Sequence, residues 1–192
     1  MLRRLSVLAL VAAFLVGCDD KQTVTDSDIG VTPTEGTGRP LAADAPLPGG
    51  RDRAATTDQL HADVRRRVEA MYGGDAETVV RTTSPKVVES LGEEAMRQAL
   101  QEQLDMLQQY TQLLRVEFEE QPVFASVSNR IYARVPFVVI TRSEEGGEIR
   151  NPNYALAILE PGQDSFAFVE GTTSAKRMKE LYPDLPSELG IR

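Results

Sequence analysis

The sequence predicts an α+β fold, with N-terminal helices packed on an antiparallel sheet and a short helical tail at the C-terminus. Three observations lead there. Apolar residues recur at helical spacing between Leu60 and Thr111. From Leu113 onward the period changes to two, and Gly, Pro, Asn and Asp clusters then punctuate the chain at hairpin intervals. With 41% of its 192 residues hydrophobic, the chain can build a core, which excludes wholesale disorder.

The first helix is predicted from Asp58, a capping residue. Leu60, Val64, Val68, Met71 and Tyr72 follow at helical spacing, and Gly73-Gly74 stops the run. Arg65, Arg66 and Arg67 on this helix read as a solvated outer face, the alternative being contact with anionic lipid. Asp75 caps a short helix to Thr82. Ser84-Pro85 puts serine at a cap and proline at the first helical position, with Gly92 as the stop. The longest helix is predicted from Glu93 to Gln112, striped by Met96, Ala99, Leu100, Leu104, Leu107 and Thr111. Glu93 and Glu94 sit in its first turn, where the helix dipole favours anions.

The strands follow. Leu114, Val116 and Phe118 alternate with Arg115, Glu117 and Glu119, and a second run spans Val123 to Ser128. After a turn at Asn129-Arg130, Ile131 to Thr141 is apolar on both faces around Val135 to Ile140. That pattern predicts the centre of a sheet, with Pro136 marking a bulge or an edge. Ser143 to Gly147 makes a hairpin turn, Ile149 to Glu160 returns, and Ser165 to Glu170 is the last strand. The tail, Ser174 to Ile191, reads as two helical turns split at Pro183, with Leu181, Tyr182, Leu185, Leu189 and Ile191 to bury.

Upstream of the domain the chain carries an address. Arg3 and Arg4 precede twelve uncharged residues, Leu5 to Val16, too few for a bilayer core that takes about 20 residues. This matches a secretory signal. Its end, Leu15-Val16-Gly17-Cys18, resembles the lipobox of bacterial lipoproteins. The resemblance implies a signal peptide over 1–17 and acyl chains on Cys18, anchoring the mature protein to a membrane; two or more chains hold stably. Asp19 and Asp20 resemble the enterobacterial signal for retention at the inner membrane, facing the periplasm. Loss of the signal leaves 19 of the 21 basic residues against 29 acidic ones, a net charge of −10. Residues 18–57 are then the lipidated cysteine and a disordered tether, rich in Pro and Gly and without an aromatic residue. A coil of that length spans roughly 35 Å. The alternative is that part of it docks on the domain, with Ile29-Gly30-Val31 as the candidate.

The predicted domain, residues 58–192, also carries a resemblance. Tyr72-Gly73-Gly74-Asp75-Ala76-Glu77, Ser84-Pro85-Lys86-Val87-Val88-Glu89 and Leu181-Tyr182-Pro183-Asp184-Leu185-Pro186, taken with the element order, resemble an uncharacterised branch of the nuclear transport factor 2-like superfamily. The resemblance implies a curved antiparallel sheet wrapped around the helices as a cone. One departure is the missing strand between the second and third helical stretches.

The chemistry is more sparely written. An acidic chain is a poor partner for nucleic acid, whose phosphates call for clustered Lys and Arg. One cysteine excludes an internal disulfide and a Cys-rich zinc site, and one histidine excludes most His-based metal sites. No metal or cofactor is expected. Superfamily enzymes of the isomerase and dehydratase kind place an acid–base residue inside the cone. Here His61 is the one candidate, and a solvated or cap-proximal histidine is the plainer reading. Ser84, Ser126 and Ser165 have no histidine partner in sequence context, so no catalytic set is assigned. Tyr132, Arg134 and Tyr154 share one strand parity. If that face lines the cone, they offer phenols and a guanidinium among aliphatics, suited to a small anionic or carbonyl-bearing ligand. The alternative is that they decorate the outer face. The expected function is thus a lipid-anchored, non-enzymatic domain binding a small ligand or an envelope protein. An isomerase-like enzyme and a dimeric scaffold are the alternatives.

Overall fold

Asp52 opens the first helix. Its carboxylate accepts from the Ala55 amide at 2.7 Å, so in the computed structural model α1 runs Arg53–Gly73, starting upstream of the predicted Asp58. The structure describes residues 39–41, 46–143 and 146–191. The signal peptide, Cys18, Ile29–Val31 and most of the predicted tether lie outside them. Two stretches of the segment assigned to the tether belong to the folded body. Arg39–Pro40 forms a short strand, β1, and Leu47 is 2% exposed in the core. A two-residue strand and one buried leucine leave no periodicity in a Pro- and Gly-rich sequence.

At the other end of α1, Gly74 takes the left-handed conformation that closes the helix. The Asp75 carboxylate caps α2 (Ala76–Thr82), accepting from the Thr78 amide at 2.9 Å. Helix α3 (Pro85–Leu91) begins after Ser84 as expected, and α4 spans Glu93–Tyr110. At 21 residues α1 is longer than α4 at 18, because the Asp52 cap extends it. Only Leu104 of the α4 stripe is fully buried, since α4 packs chiefly on α1, α2 and α3. Between α2 and α3, where a strand would be looked for, there is a single bridge from Thr83 to Phe168.

The sheet comprises β1, β2 (Gln112–Glu117), β3 (Val123–Val127), β4 (Arg130–Arg142), β5 (Glu148–Leu159) and β6 (Ala167–Glu170), all pairs antiparallel. Its order is β1-β3-β4-β5-β6, with β2 also beside β4, and it is an open sheet. The β3–β4 turn uses Ser128 and Asn129, both at positive φ, one residue earlier than predicted. Strand β4 is central. One side pairs with β5 along its length; the other pairs with β3 through Arg134 and with β2 from Val138. Pro136 falls in the gap between β3 and β2, where a residue without a backbone donor disrupts no ladder on that side.

Parity divides the sheet into two faces. Ile131, Ala133, Val135, Phe137 and Val139 of β4 join Phe124, Ala157, Leu159 and Phe168 against Leu60, Val64 and Val68 of α1. On the opposite face Tyr132, Leu156, Ile158 and Val169 are covered by Val87 of α3 and by the tail. The tail is α5 (Ala175–Leu181) followed by a 3-10 turn at Ser187–Leu189, split at Pro183 as predicted, and it buries Met178, Tyr182 and Leu189. Helices thus precede a five-strand antiparallel open sheet edged by β1, and a short helix follows it. The fold is α+β, as the change of period indicates.

Candidate ligand groove beside the uncovered stretch of the central strand

Tyr132, Arg134 and Tyr154 do share a face, and it is the one turned away from α1. They do not share an environment. Tyr132 is fully buried under the tail, donating to Asp184 Oδ1 at 2.9 Å and accepting from Arg130 Nη1 at 3.2 Å. Burial, and then the bond to Asp184, hold its phenol well above the ordinary range, so it stays protonated. Beside it, Ser84 hydrogen-bonds the Tyr182 hydroxyl instead of capping α3. Lys86 lies 4.4 Å from the Tyr182 ring centroid. Tyr132 therefore belongs to a polar clamp on the tail, not to an open surface.

Arg134 and Tyr154 lie nearer solvent. In the register Arg134 opposes Leu156 and Pro136 opposes Tyr154, so the two side chains are diagonal neighbours. The guanidinium carbon sits 6.0 Å from the Tyr154 ring centroid. Both line a groove of about 290 Å³, which Pro136, Val138 and Pro152 make partly apolar and Glu119 and Glu120 make acidic. The groove forms here because the tail covers the face up to Leu156. Beyond Val138, charged side chains flank Ile140 from both neighbouring strands and bond one another: Arg115 with Glu117 and Glu148, and Arg150 with Glu117 and Glu119. Between these two regions the outer face stays open.

Comparison with known proteins returns no match, whether to a family model, a curated protein or a solved structure.

Within the groove, charge is unevenly satisfied. Glu119 is held by Arg150. Arg134 Nε is buried and has no hydrogen-bond partner among the described residues. Burial raises the Tyr154 pKa, with Arg134 opposing, so the phenol is a neutral donor near pH 7. A guanidinium, a phenol and apolar walls suit a small ligand with a carboxylate or carbonyl at one end. A second recess, of about 380 Å³, lies between Arg51, Gln59 and Asp164, but its polar groups largely bond each other: Arg51 with Asp164, Gln59 with Asp63.

The remaining sequence candidates lie elsewhere. His61 stacks on Phe118 at 4.1 Å between centroids, and its Nε2 is buried without a partner among the described residues. Burial, the largest influence, lowers its pKa. It does not line the groove. The basic run on α1 splits. Arg65 and Arg66 are exposed, as a solvated face requires, whereas Arg67 is 4% exposed. Arg67 donates twice to Glu170 Oε1, at 2.7 and 2.8 Å, and also to Val79 O and to the hydroxyls of Thr82 and Thr83. It corrects the reading of the run as one outer face: the third arginine turns inward and ties α1 to α2 and β6. The sequence reading did not single out Pro152 or Glu120 for the groove. Pro136 was the available signal, because a proline inside a central strand marks a place where a neighbour is missing.

Proposed function

We propose that this chain is a lipid-anchored domain of a bacterial cell envelope that binds a small carboxylate-bearing ligand in the Arg134–Tyr154 groove, without catalysis. The anchor is supported by the lipobox-like Leu15-Val16-Gly17-Cys18, and the acidic pair after it favours the inner membrane, facing the periplasm. The helices-then-meander order supports a place in the nuclear transport factor 2-like superfamily. A binding role rests on one observation: a guanidinium lining a partly apolar groove with no hydrogen-bond or ion-pair partner among the described residues. Its Nη nitrogens make no hydrogen bond among the described residues and are not buried with Nε, so a ligand carboxylate could pair with them. Two titratable groups, His61 and Tyr72, reach the layer between α1 and the sheet, His61 stacked on Phe118, and neither lines the Arg134–Tyr154 groove.

Labelled palmitate incorporated by the parent chain and not by Cys18→Ser is the result expected for the anchor; no label on the parent would sink it. For the groove, calorimetric titration of the full chain with N-acetyl-glycyl-leucine should show saturable binding. Arg134→Gln should weaken it at least about tenfold, the loss of one charge-assisted bond. Absence of binding by the parent, or equal binding by the variant, overturns the reading.

A further inference from the structure

Two charged groups in the groove are left over. Arg134 has no ion-pair or hydrogen-bond partner among the described residues beyond its stacking on Tyr154, and Glu120 has none of either kind. The other acidic residue there, Glu119, is already neutralised by Arg150. Yet Arg134 and Glu120 line the same groove and do not pair with each other. Elsewhere on this face several charges do close on one another, Arg115 with Glu117 and Glu148 and Arg130 with Glu160 and Asp184, while Arg142 at the exposed hairpin end makes no ion pair among the described residues. Opposite charges that share a concave site and stay apart are complementary to a ligand carrying both signs at its ends.

We propose that the groove takes a short zwitterionic peptide or amino acid, its carboxylate on Arg134 and its ammonium on Glu120. The proposal rests on the carboxylate-binding reading above and adds the second pole. An extended dipeptide separates its two charged ends by roughly 7 Å, which suits two groups that line one groove without pairing directly. The groove's volume of about 290 Å³ is at the small end for ligand sites, which suits a molecule of that size. Pro136, Pro152 and the Tyr154 ring offer an apolar surface to the side chain between the poles.

Three matched probes separate the terms in calorimetric titrations of the full chain: glycyl-leucine, N-acetyl-glycyl-leucine and glycyl-leucinamide. The zwitterion should bind about tenfold more tightly than either one-ended analogue. Glu120→Gln should bring glycyl-leucine down to the level of the N-acetyl form. Arg134→Gln should bring it down to the level of the amide. If the N-acetyl form binds the parent as tightly as the zwitterion, or if Glu120→Gln changes nothing, the zwitterion proposal is overturned while the carboxylate reading stands. If neither carboxylate-bearing probe binds, both are overturned.

Discussion

Tyr132 and Asp184 are joined by a hydrogen bond of 2.9 Å across 52 residues of chain, which fixes the tail after Pro183 to the central strand. Asp184 also accepts from Arg130 Nη1 at 2.6 Å, and Arg130 Nε donates to Glu160 at 2.7 Å. The tail is therefore held by a polar clamp as well as by burial of Tyr182 and Leu189. Tyr132→Phe leaves the Arg130–Asp184 pair intact and should cost about 1 kcal/mol, whereas Asp184→Ala strips both partners and should cost about 2–3 kcal/mol. Urea unfolding measures both. An Asp184→Ala variant as stable as the parent would show that burial alone holds the tail.

Arg67 donates five side-chain hydrogen bonds, reaching α2, Thr83 just beyond it, and β6. Arg67→Ala should cost about 3–5 kcal/mol, because it leaves Glu170 and two threonine hydroxyls without their donor. Arg67→Lys should recover only part of that loss, since one ammonium cannot span the fork of partners a guanidinium reaches. A loss below about 1 kcal/mol for the alanine variant would contradict this account.

The stability of the domain should respond to pH through His61. Its pKa in the folded state lies below the ordinary 6.5, chiefly because of burial, with Asp58 opposing and Arg65 adding to the effect. Above about pH 7 the ring is neutral in both states and contributes no pH dependence. As pH falls through 6.5 the unfolded chain takes up the proton first, so stability drops until the folded-state pKa is passed. Unfolding free energies measured between about pH 7 and about pH 5 should fall more steeply for the parent than for His61→Gln. Parallel slopes would remove His61 from the pH response.

Gly171 sits against the wall of the groove. A Cβ there would lie 2.2 Å from the Tyr154 carbonyl oxygen and 2.9 Å from its ring, so β5 and β6 must separate to admit it. Gly171→Ala should destabilise the domain by about 1–3 kcal/mol. It should also weaken binding of N-acetyl-glycyl-leucine, because Tyr154 moves with its strand. A variant within about 0.5 kcal/mol of the parent would show that the strands yield at no cost.

Much of the framework is legible in the chain because it is written locally. Asp75, Ser84-Pro85, Gly92 and Pro183 act within a turn or two of themselves, and each marks a boundary near where it stands in the structure. The start of α1 is not set by local chemistry alone, because Asp52 and Asp58 are both competent caps and Asp52 is the one that accepts from the first turn. Thr56 and Thr57, buried between them, decide in favour of the earlier one. The candidate site is legible only in part. Arg134 and Tyr154 can be chosen by parity, but the same parity also selects Tyr132, which the tail covers. Nothing in the strand's own pattern says which residues a distant segment will cover.

By itself the sequence determined the order of elements from α1 onward, the class of fold, the central position of β4 and the unusual Pro136 within it. Those follow from period, capping and proline geometry, each a property of neighbouring residues. The tertiary structure alone decided which face of β4 meets α1, which of three consecutive arginines turns inward, and which charges find partners. Alternation shows that a strand has two faces but not what lies against either. Arg65, Arg66 and Arg67 are chemically identical, and their fates differ by a rotation of about 100° per residue around α1. The pairing of Arg115, Arg130 and Arg150, while Arg134 and Glu120 find no partner among the described residues, depends on contacts between segments far apart in the chain.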